Sequence, residues 1–292
     1  MRMRRSSRSR TSVLSATSLK SSLNSRRNCD MASLIADAQT RTPLVVFSVE
    51  DGVGAITLQR PPVNAISDDL IGELDAAIGQ AESAKLPVVL LRSASRAFCA
   101  GADLKMVGQR VGKADGAAAM EVTVRSFHRV FDRLAALSSV TITEIGGVAL
   151  GGGLELALAC DLRIVAEEAR LGLPEAGVGL LPGAGGTQRL TRLCGAGAAA
   201  KIILAGEQIS GAEAMRLGLA DWCVPLAELA ARTVALAQRI GGYSTEALRL
   251  SKRCIELAGH PGPGGADAEI SGIVRLMMAP DTKDRVAAFL AR

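Results

Sequence analysis

The sequence predicts an α/β fold with crossover connections, followed by a helical region at the C-terminal end. From residue 44 to about residue 190, short apolar runs typical of strands alternate with stretches of helical apolar spacing. Beyond that point the pattern is almost purely helical. The 292 residues include 31 glycines, too many for a simple helical bundle, and 48% hydrophobic residues, too many for a disordered chain.

The first half contains the predicted strands that open the sheet. Residues 44–49 and 53–59 are predicted strands joined by the turn Glu50-Asp51-Gly52. From Ser67 to Ala84, a capping residue precedes apolar residues at helical spacing, which predicts a helix. Residues 88–92, VVLLR, are typical of a strand buried on both faces. A loop is predicted over 107–119.

A helix with Phe127, Phe131 and Leu134 on one face follows, and leads to a strand at 140–145. A helix that begins with glycines is predicted at 151–160, and a strand at 162–166. The remaining elements are a short strand at 221–224 and helices near 196–205, 210–218, 225–240, 244–259, 266–278 and 282–292.

Residues 1–30 are predicted to lie outside the fold, which we expect to divide into a core at 40–225 and a helical region at 226–292. The tail has seven Arg and one Lys against Asp30, so its charge is +7, and the net +5 of the chain leaves about −2 for the rest. A segment rich in Arg and Ser is typical of an organellar transit peptide. The alternative is an upstream extension that never folds.

Composition excludes several classes of function. No uncharged apolar run reaches about 18 residues, so no membrane-spanning helix is expected. The folded part is not basic and only 2% of the chain is aromatic, which argues against a nucleic-acid partner. The six cysteines form no CxxC pair, and His128 and His260 are the only histidines, so neither a metal site nor a disulfide framework is expected.

Three glycine-rich segments, at 96–105, 147–156 and 172–186, hold the candidate functional residues. None matches a phosphate-binding or dinucleotide-binding loop, and a single glycine cluster is more often a tight turn. In the second segment, a strand ending at Ile145 runs through glycines directly into an apolar helix. The free N–H groups of a first helical turn can hold a developing oxyanion when no side chain covers them.

Two glutamates in these segments are the candidate base and acid. Glu155 falls in the first helical turn, where the helix dipole stabilises its ionised form, so we expect a carboxylate near neutral pH. Glu175 has apolar sequence neighbours, so we expect burial to raise its pKa and let it supply a proton. The alternatives are a Glu155 placed only for helix stability and a Glu175 paired with a nearby arginine.

The motifs FCAGADLK at 98–105, GVALGGGLELALACD at 147–161 and PEAGVGLLPGAGGTQRL at 174–190 resemble those of the crotonase (enoyl-CoA hydratase/isomerase) superfamily. The similarity extends from about residue 44 to residue 289. The resemblance implies a crotonase-like spiral of ββα units with a C-terminal helical trimerisation region, assembled as a homotrimer or hexamer. It implies an acyl-CoA thioester as substrate, with coenzyme A as part of that substrate and no separate cofactor.

By motif position, the resemblance also implies roles for particular residues. The N–H groups of Ala100 and Gly152 form the oxyanion hole. Glu155 and Glu175 occupy the two catalytic glutamate positions of the true hydratases, where Glu155 helps to activate the water that adds at C3 and Glu175 protonates C2. The residues expected along the CoA part of the substrate are Ala100, Gly101, Ala102, Asp103, Leu104, Lys105 and Gly152, with Lys105 near the phosphates.

The sequence therefore predicts a hydro-lyase that adds water to an enoyl-CoA. The alternatives are double-bond isomerisation or thioester hydrolysis on the same scaffold, a methylglutaconyl-CoA hydratase-like activity, and a non-catalytic acyl-CoA binder or RNA-associated protein. Because isomerases can use one acid/base, the presence of both glutamates favours hydration. The expected location is the bacterial cytoplasm, or the mitochondrial matrix if residues 1–30 are a transit peptide. The sequence explains neither Glu144, where small residues are usual, nor the acyl-chain preference.

Overall fold

The computed structural model describes residues 42–258 and 264–291. The predictions made for residues 1–30 and for His260 lie outside these residues. Within them, nine strands follow one another along the chain: β1 (Val45–Glu50), β2 (Val53–Leu58), β3 (Val88–Ser93), β4 (Val140–Ile145), β5 (Val148–Leu150), β6 (Leu162–Ala166), β7 (Arg170–Gly172), β8 (Ile209–Ser210) and β9 (Trp222–Val224).

Ten α-helices and one short 3-10 helix (Glu175–Val178) connect and follow these strands in the described residues. The helices are α1 (Asp68–Ala84), α2 (Leu104–Arg110), α3 (Gly116–Ala135), α4 (Gly152–Ala157), α5 (Gly186–Leu204), α6 (Gly211–Arg216), α7 (Leu226–Gly241), α8 (Thr245–Ala258), α9 (Gly264–Met277) and α10 (Pro280–Leu290). Helix α5 is interrupted at Gly195, whose backbone is not helical.

The strands form two sheets. The main sheet has the order β1-β2-β3-β4-β6-β9, and all its neighbouring strands are parallel except the antiparallel hairpin β1–β2. The smaller sheet has the order β5-β7-β8. Strands β4 and β6 of the main sheet are each followed within a few residues by a strand of the smaller sheet. The α/β fold with crossover connections is confirmed.

Successive turns of the chain also meet through isolated pairings that lie outside the two sheets. Isolated parallel bridges join Ile66 to Ala102 and Cys99 to Ala149. The segments that follow β2, β3 and β4 therefore lie side by side, as expected for a spiral of repeating units. This arrangement brings residues 99–102 next to the turn between β5 and α4.

Local sequence explains the elements that frame the core. The Ser67 hydroxyl caps α1 by accepting a hydrogen bond from the N–H of Leu70, and Leu70, Leu74 and Ile78 of this helix are fully buried. In β3, Val88 and its three apolar successors are at most 3% exposed, as predicted for a strand covered on both faces. Burying each large aliphatic side chain contributes about 1.5–3 kcal/mol.

The predicted loop at 107–119 is wrong. Residues up to Arg110 belong to α2, and α3 begins at Gly116, so only a short connection separates two helices. The Asp103 side chain caps α2 at the N–H of Lys105, and Arg110 forms an ion pair with Asp68 of α1. Asp103 and Asp68 lie outside residues 107–119, so the glycines and charges within this range did not indicate a helix.

The C-terminal helices differ in how they meet the sheet. Helix α7 packs against it through Leu229, Leu236 and Ile240, and Lys252 of α8 forms an ion pair with Asp161 at 2.7 Å. Many large apolar side chains of α8–α10 remain exposed: Ile255, Ile270, Ile273, Val274, Met277, Val286, Phe289 and Leu290. None of the helices in the described part of the chain has the length and apolarity needed to cross a bilayer.

Candidate active site

Two tight glycine turns place a pair of backbone N–H groups side by side. Gly101 and Gly151 have φ values of +99° and +52°, which L-residues with a side chain rarely adopt. A Cβ built on Gly101 would lie 3.3 Å from the nitrogen of Gly152, and one on Gly152 would lie 3.5 Å from the nitrogen of Ala102. The N–H groups of Ala102 and Gly152 have no hydrogen-bond partner among the described residues, so both are free to bind a ligand oxygen.

The expectation that Ala100 supplies one of these N–H groups is wrong. Its N–H donates to the carbonyl of Val63 at 2.9 Å and is occupied within the protein. The open N–H belongs instead to Ala102, two residues later, at the parallel bridge with Ile66. Gly152, the other expected donor, does have an open N–H group.

Glu155 is held rigidly beneath these turns. It is 2% exposed, and its Oε1 accepts hydrogen bonds from the N–H groups of Ala184 at 2.7 Å and Gly186 at 2.8 Å. A Cβ on Gly186 would lie 2.8 Å from the same oxygen, so only glycine allows this approach. The carboxyl group is therefore fixed by backbone from a segment about thirty residues later in the chain.

The expected effect of the helix dipole on Glu155 is outweighed. Burial raises the pKa of Glu155 above that of an ordinary glutamate, whereas the N–H groups of Gly186 and Ala184 and the charges of His128 and Arg189 act to lower it. The first turn of the six-residue α4 does not compensate for nearly complete removal from water. Glu155 keeps four groups that favour its ionised form.

Glu175 lies in a different environment at the start of the 3-10 helix. Burial, which is the largest effect, and the nearby charge of Glu155 together raise its pKa to about 7, against the opposing effect of its own backbone N–H. Its Oε2 is buried without a hydrogen-bond partner among the described residues. The predicted direction of the shift is confirmed.

Both glutamates line one cavity of about 660 Å³, together with Ala102 and Gly152. Within this cavity, the charge of Glu155 acts to raise the pKa of Glu175. One wall is apolar and is formed by the facing sides of α2 and α3: Leu104, Met106, Val107, Met120, Val124 and Phe127. The site thus combines two carboxyls, two open N–H groups and an apolar wall.

The other residues expected near the CoA part of the substrate divide into two groups. Ala100, Gly101 and Leu104 line the cavity. Asp103 instead pairs with Arg60 at 2.7 Å, and this arginine, with burial opposing it, holds the pKa of the carboxyl below its usual value. Lys105 is exposed in the first turn of α2. Neither Asp103 nor Lys105 is among the described residues that line the cavity.

Sequence reasoning missed His128, which lines the cavity from α3 and acts electrostatically on Glu155. His128 is spaced four residues from Val124 and eight from Met120, so it lies on the same face of α3 as these two residues. This helical spacing was the signal that could have identified it. Glu144 belongs elsewhere: burial raises its pKa, a hydrogen bond with Thr233 acts to lower it, and it lines a separate cavity of about 200 Å³.

Comparison with known proteins identifies the family. Residues 48–260 match the family model described as enoyl-CoA hydratase/isomerase. The chain belongs to this family. The matched region contains every residue that lines the cavity, and more than two thirds of the chain.

Members of the family are similar over most of their length. A short-chain-enoyl-CoA hydratase of Clostridium acetobutylicum is 35% identical over 85% of this chain and 95% of its own. A probable mitochondrial enoyl-CoA hydratase 2 of Arabidopsis thaliana is 38% identical over 82% of this chain and 79% of its own. The crystal structure of an enoyl-CoA hydratase from Bacillus anthracis superposes with a TM-score of 0.79 at 35% identity, covering 85% of this chain and 96% of that one.

Proposed function

We propose that this protein is an enoyl-CoA hydratase, a hydro-lyase that adds water in the syn sense to a 2-trans-enoyl-CoA and gives a 3-hydroxyacyl-CoA. The observation that carries the proposal is that Glu155 and Glu175 share one cavity with the open N–H groups of Ala102 and Gly152. The relatives named as hydratases support the same reaction.

The two N–H groups bind the thioester oxygen in this proposal. As water adds at C3, electron density moves onto this oxygen and an enolate forms. Donors already in place stabilise that charge without reorganising, and removing one such donor typically reduces the rate about 100- to 1000-fold. Ala102 supplies the first donor and Gly152 the second.

The two glutamates handle the protons. Glu155, ionised, takes a proton from the water whose oxygen bonds to C3, and Glu175, protonated, delivers a proton to C2. A final transfer from Glu155 to Glu175 restores both groups. A pKa of about 7 suits a group that must donate near neutral pH. These two glutamates and the two N–H groups account for every proton transfer and for the charge on the thioester oxygen, so the proposal includes no cofactor beyond the CoA of the substrate.

The cavity also suggests how the substrate lies. We place the acyl chain along the apolar wall of α2 and α3, and the CoA part along Ala100–Asp103, with the exposed Lys105 near the phosphates. Binding of the thioester oxygen at Ala102 and Gly152 fixes the position of the acyl chain and of the CoA part along the cavity. Isomerisation of a 3-enoyl-CoA is the competing reaction, and the two carboxyls at one cavity favour hydration over it.

We further propose that α8–α10 bury their apolar side chains against second copies in a homotrimer or hexamer. Eight large apolar residues of these helices are exposed, including Ile273 and Phe289, which is an extensive patch for a monomer surface. Light scattering after size-exclusion chromatography is expected to give a trimer or hexamer mass. Ile273→Asp combined with Phe289→Asp is expected to shift the mass towards the monomer.

For location, we propose the bacterial cytoplasm, with the mitochondrial matrix as the alternative. The full chain and a chain lacking residues 1–30, each fused to a fluorescent protein in cultured eukaryotic cells, distinguish these. Mitochondrial import that depends on residues 1–30 would indicate the matrix, and diffuse fluorescence of both chains would indicate the cytoplasm.

The loss of the absorbance of crotonyl-CoA tests the reaction directly. The wild type is expected to hydrate it, whereas Glu155→Gln and Glu175→Gln are each expected to lose most of the turnover. Glu144→Gln, which changes a half-buried carboxyl outside the cavity, is the matched control and is expected to stay close to wild type. Unchanged turnover in either glutamate variant would remove that residue from the mechanism, and isomerisation without hydration would replace the proposed activity.

A further inference from the structure

Arg189 lies behind the catalytic cavity without lining it. It is in the first turns of α5, and its side chain folds back along the chain over Gly185. A Cβ on Gly185 would lie 2.4 Å from Nη1 of Arg189, and Gly185 has a φ of +98°. The turn at residues 184–186 is thus shaped to let the guanidinium pass directly across it.

The guanidinium connects this turn to another helix. Nη1 of Arg189 donates to the carbonyl of Ala184 at 2.9 Å, and Nη2 pairs with the Asp132 carboxylate of α3 at 2.5 Å. The Arg189 side chain is 16% exposed, whereas that of Asp132 is 67% exposed. The guanidinium is therefore mostly buried, and it contacts a backbone carbonyl on one side and a carboxylate on the other.

The same turn holds the proposed base. Ala184 accepts from Arg189 through its carbonyl and donates to Oε1 of Glu155 through its N–H, and Gly186 donates to the same oxygen. The Ala184 carbonyl belongs to the peptide group that lies between the two peptide groups whose N–H groups hold Glu155, so its bond to Arg189 restrains the turn that orients the carboxylate. Displacing a catalytic group by about 1 Å can reduce a rate about 100-fold.

We propose that Arg189 is a positioning residue for Glu155, because it fixes the turn at 184–186 that orients the carboxylate. The role rests on the proposed function, because it assumes that Glu155 acts as the base. The charged and titratable groups that face Glu155 are His128 from α3, Glu175 from the 3-10 helix and Arg189 from α5. Arg189 and His128 lower the pKa of Glu155, opposing its burial.

A purely structural tie between α5 and α3 would use the same contacts, so the test needs a readout that such a tie does not change. Removing the charge of Arg189 should raise the pKa of Glu155, and the base must be ionised to act. The limb of the pH–rate profile at low pH should therefore move to higher pH, while the limb set by Glu175 stays in place. Because Arg189 does not line the cavity, KM should change little.

The experiment compares Arg189→Gln, Arg189→Lys and Asp132→Asn with the control Arg192→Gln, using crotonyl-CoA hydration from pH 5 to pH 9. Arg192 is exposed on the same helix and forms no ion pair with a described residue. We expect Arg189→Gln to reduce kcat about 10- to 100-fold, with KM within about twofold and the low-pH limb shifted upward. Arg189→Lys should restore part of kcat and most of the limb position, and Arg192→Gln should match wild type.

Three results would overturn this role. Arg189→Gln could match Arg192→Gln, kcat could fall without movement of the low-pH limb, or KM could rise in parallel with the loss of kcat. If Arg189→Gln does not fold, Asp132→Asn provides the test, because it changes an exposed carboxylate that holds the Arg189 side chain. This variant should also lower kcat. A wild-type kcat for Asp132→Asn would overturn the role. Absence of hydration by the wild type would overturn the proposed function itself, and this role with it.

Discussion

Substitution of Glu175 by glutamine should change activity and stability in opposite directions. Glutamine keeps the shape of the side chain but can neither ionise nor donate an acidic proton. The hydration rate of wild type should fall as pH rises above about 7, because the donor must be protonated. With a pKa of about 7, about half of the Glu175 carboxyls are protonated at pH 7 and about one tenth at pH 8.

The stability effect follows from the same shift. The pKa of Glu175 rises from the ordinary 4.5 to about 7 on folding, so ionisation disfavours the folded state. As pH rises from about 4.5 to about 7 the wild type should lose stability relative to Glu175→Gln, and above that the difference should be constant. At about 1.4 kcal/mol per pKa unit, the difference is at most about 3.5 kcal/mol, and the partial solvent contact of the carboxyl reduces it.

Urea unfolding of both proteins at pH 5, 7 and 8.5 measures this difference, and crotonyl-CoA hydration at the same pH values measures the rate. Glu50→Gln, which changes an exposed glutamate at the end of β1, is the control and should alter neither quantity. A wild-type rate for Glu175→Gln would show that Glu175 does not donate the proton. A stability difference that does not grow between pH 5 and pH 8.5 would show that folding does not raise the pKa of Glu175.

The remaining predictions concern groups that hold the site in place. Gly186→Ala would put a Cβ 2.8 Å from Oε1 of Glu155, so kcat for hydration should fall about 100-fold, whereas Gly197→Ala on the same helix, with nothing within 4 Å, should leave it unchanged. Asn64→Ala removes the fully buried amide that donates to Ser93 and to the Phe98 carbonyl. Urea unfolding should show a free energy of unfolding about 2–3 kcal/mol lower than that of wild type, and a decrease below about 0.5 kcal/mol would contradict this. Glu155→Gln removes the charge that raises the pKa of Glu175, so the carboxyl signal of Glu175 in NMR should titrate at lower pH than in wild type, and an unchanged or higher pKa would show that the two groups do not interact.

The sequence predicted those features that depend on local pattern. The hairpin β1–β2, the capped helix α1 and the buried strand β3 follow from turn residues, caps and apolar runs. The short strands β5, β7 and β8 were not predicted, because they form only where separate parts of the chain lie beside one another. The α/β class was therefore predictable, but the smaller sheet was not.

The site divides in the same way. Glu155 and Glu175 were found from their motifs, and the raised pKa of Glu175 is confirmed. The N–H of Ala100 is occupied by Val63, a contact between segments far apart in sequence, which no local pattern reveals. The predicted direction of the Glu155 pKa shift was wrong because it took only the local helix dipole into account, whereas burial in the folded protein has the larger effect.

A crystal structure with butyryl-CoA, a saturated acyl-CoA that cannot be hydrated, tests the central claim most directly. We predict the thioester oxygen within about 3.2 Å of the nitrogen atoms of both Ala102 and Gly152, a distance set by hydrogen bonding. The Glu155 and Glu175 carboxyls should then face C2 and C3 from the same side. A thioester oxygen bound elsewhere, or an acyl chain that leaves either carboxyl out of reach of these carbons, would contradict the account.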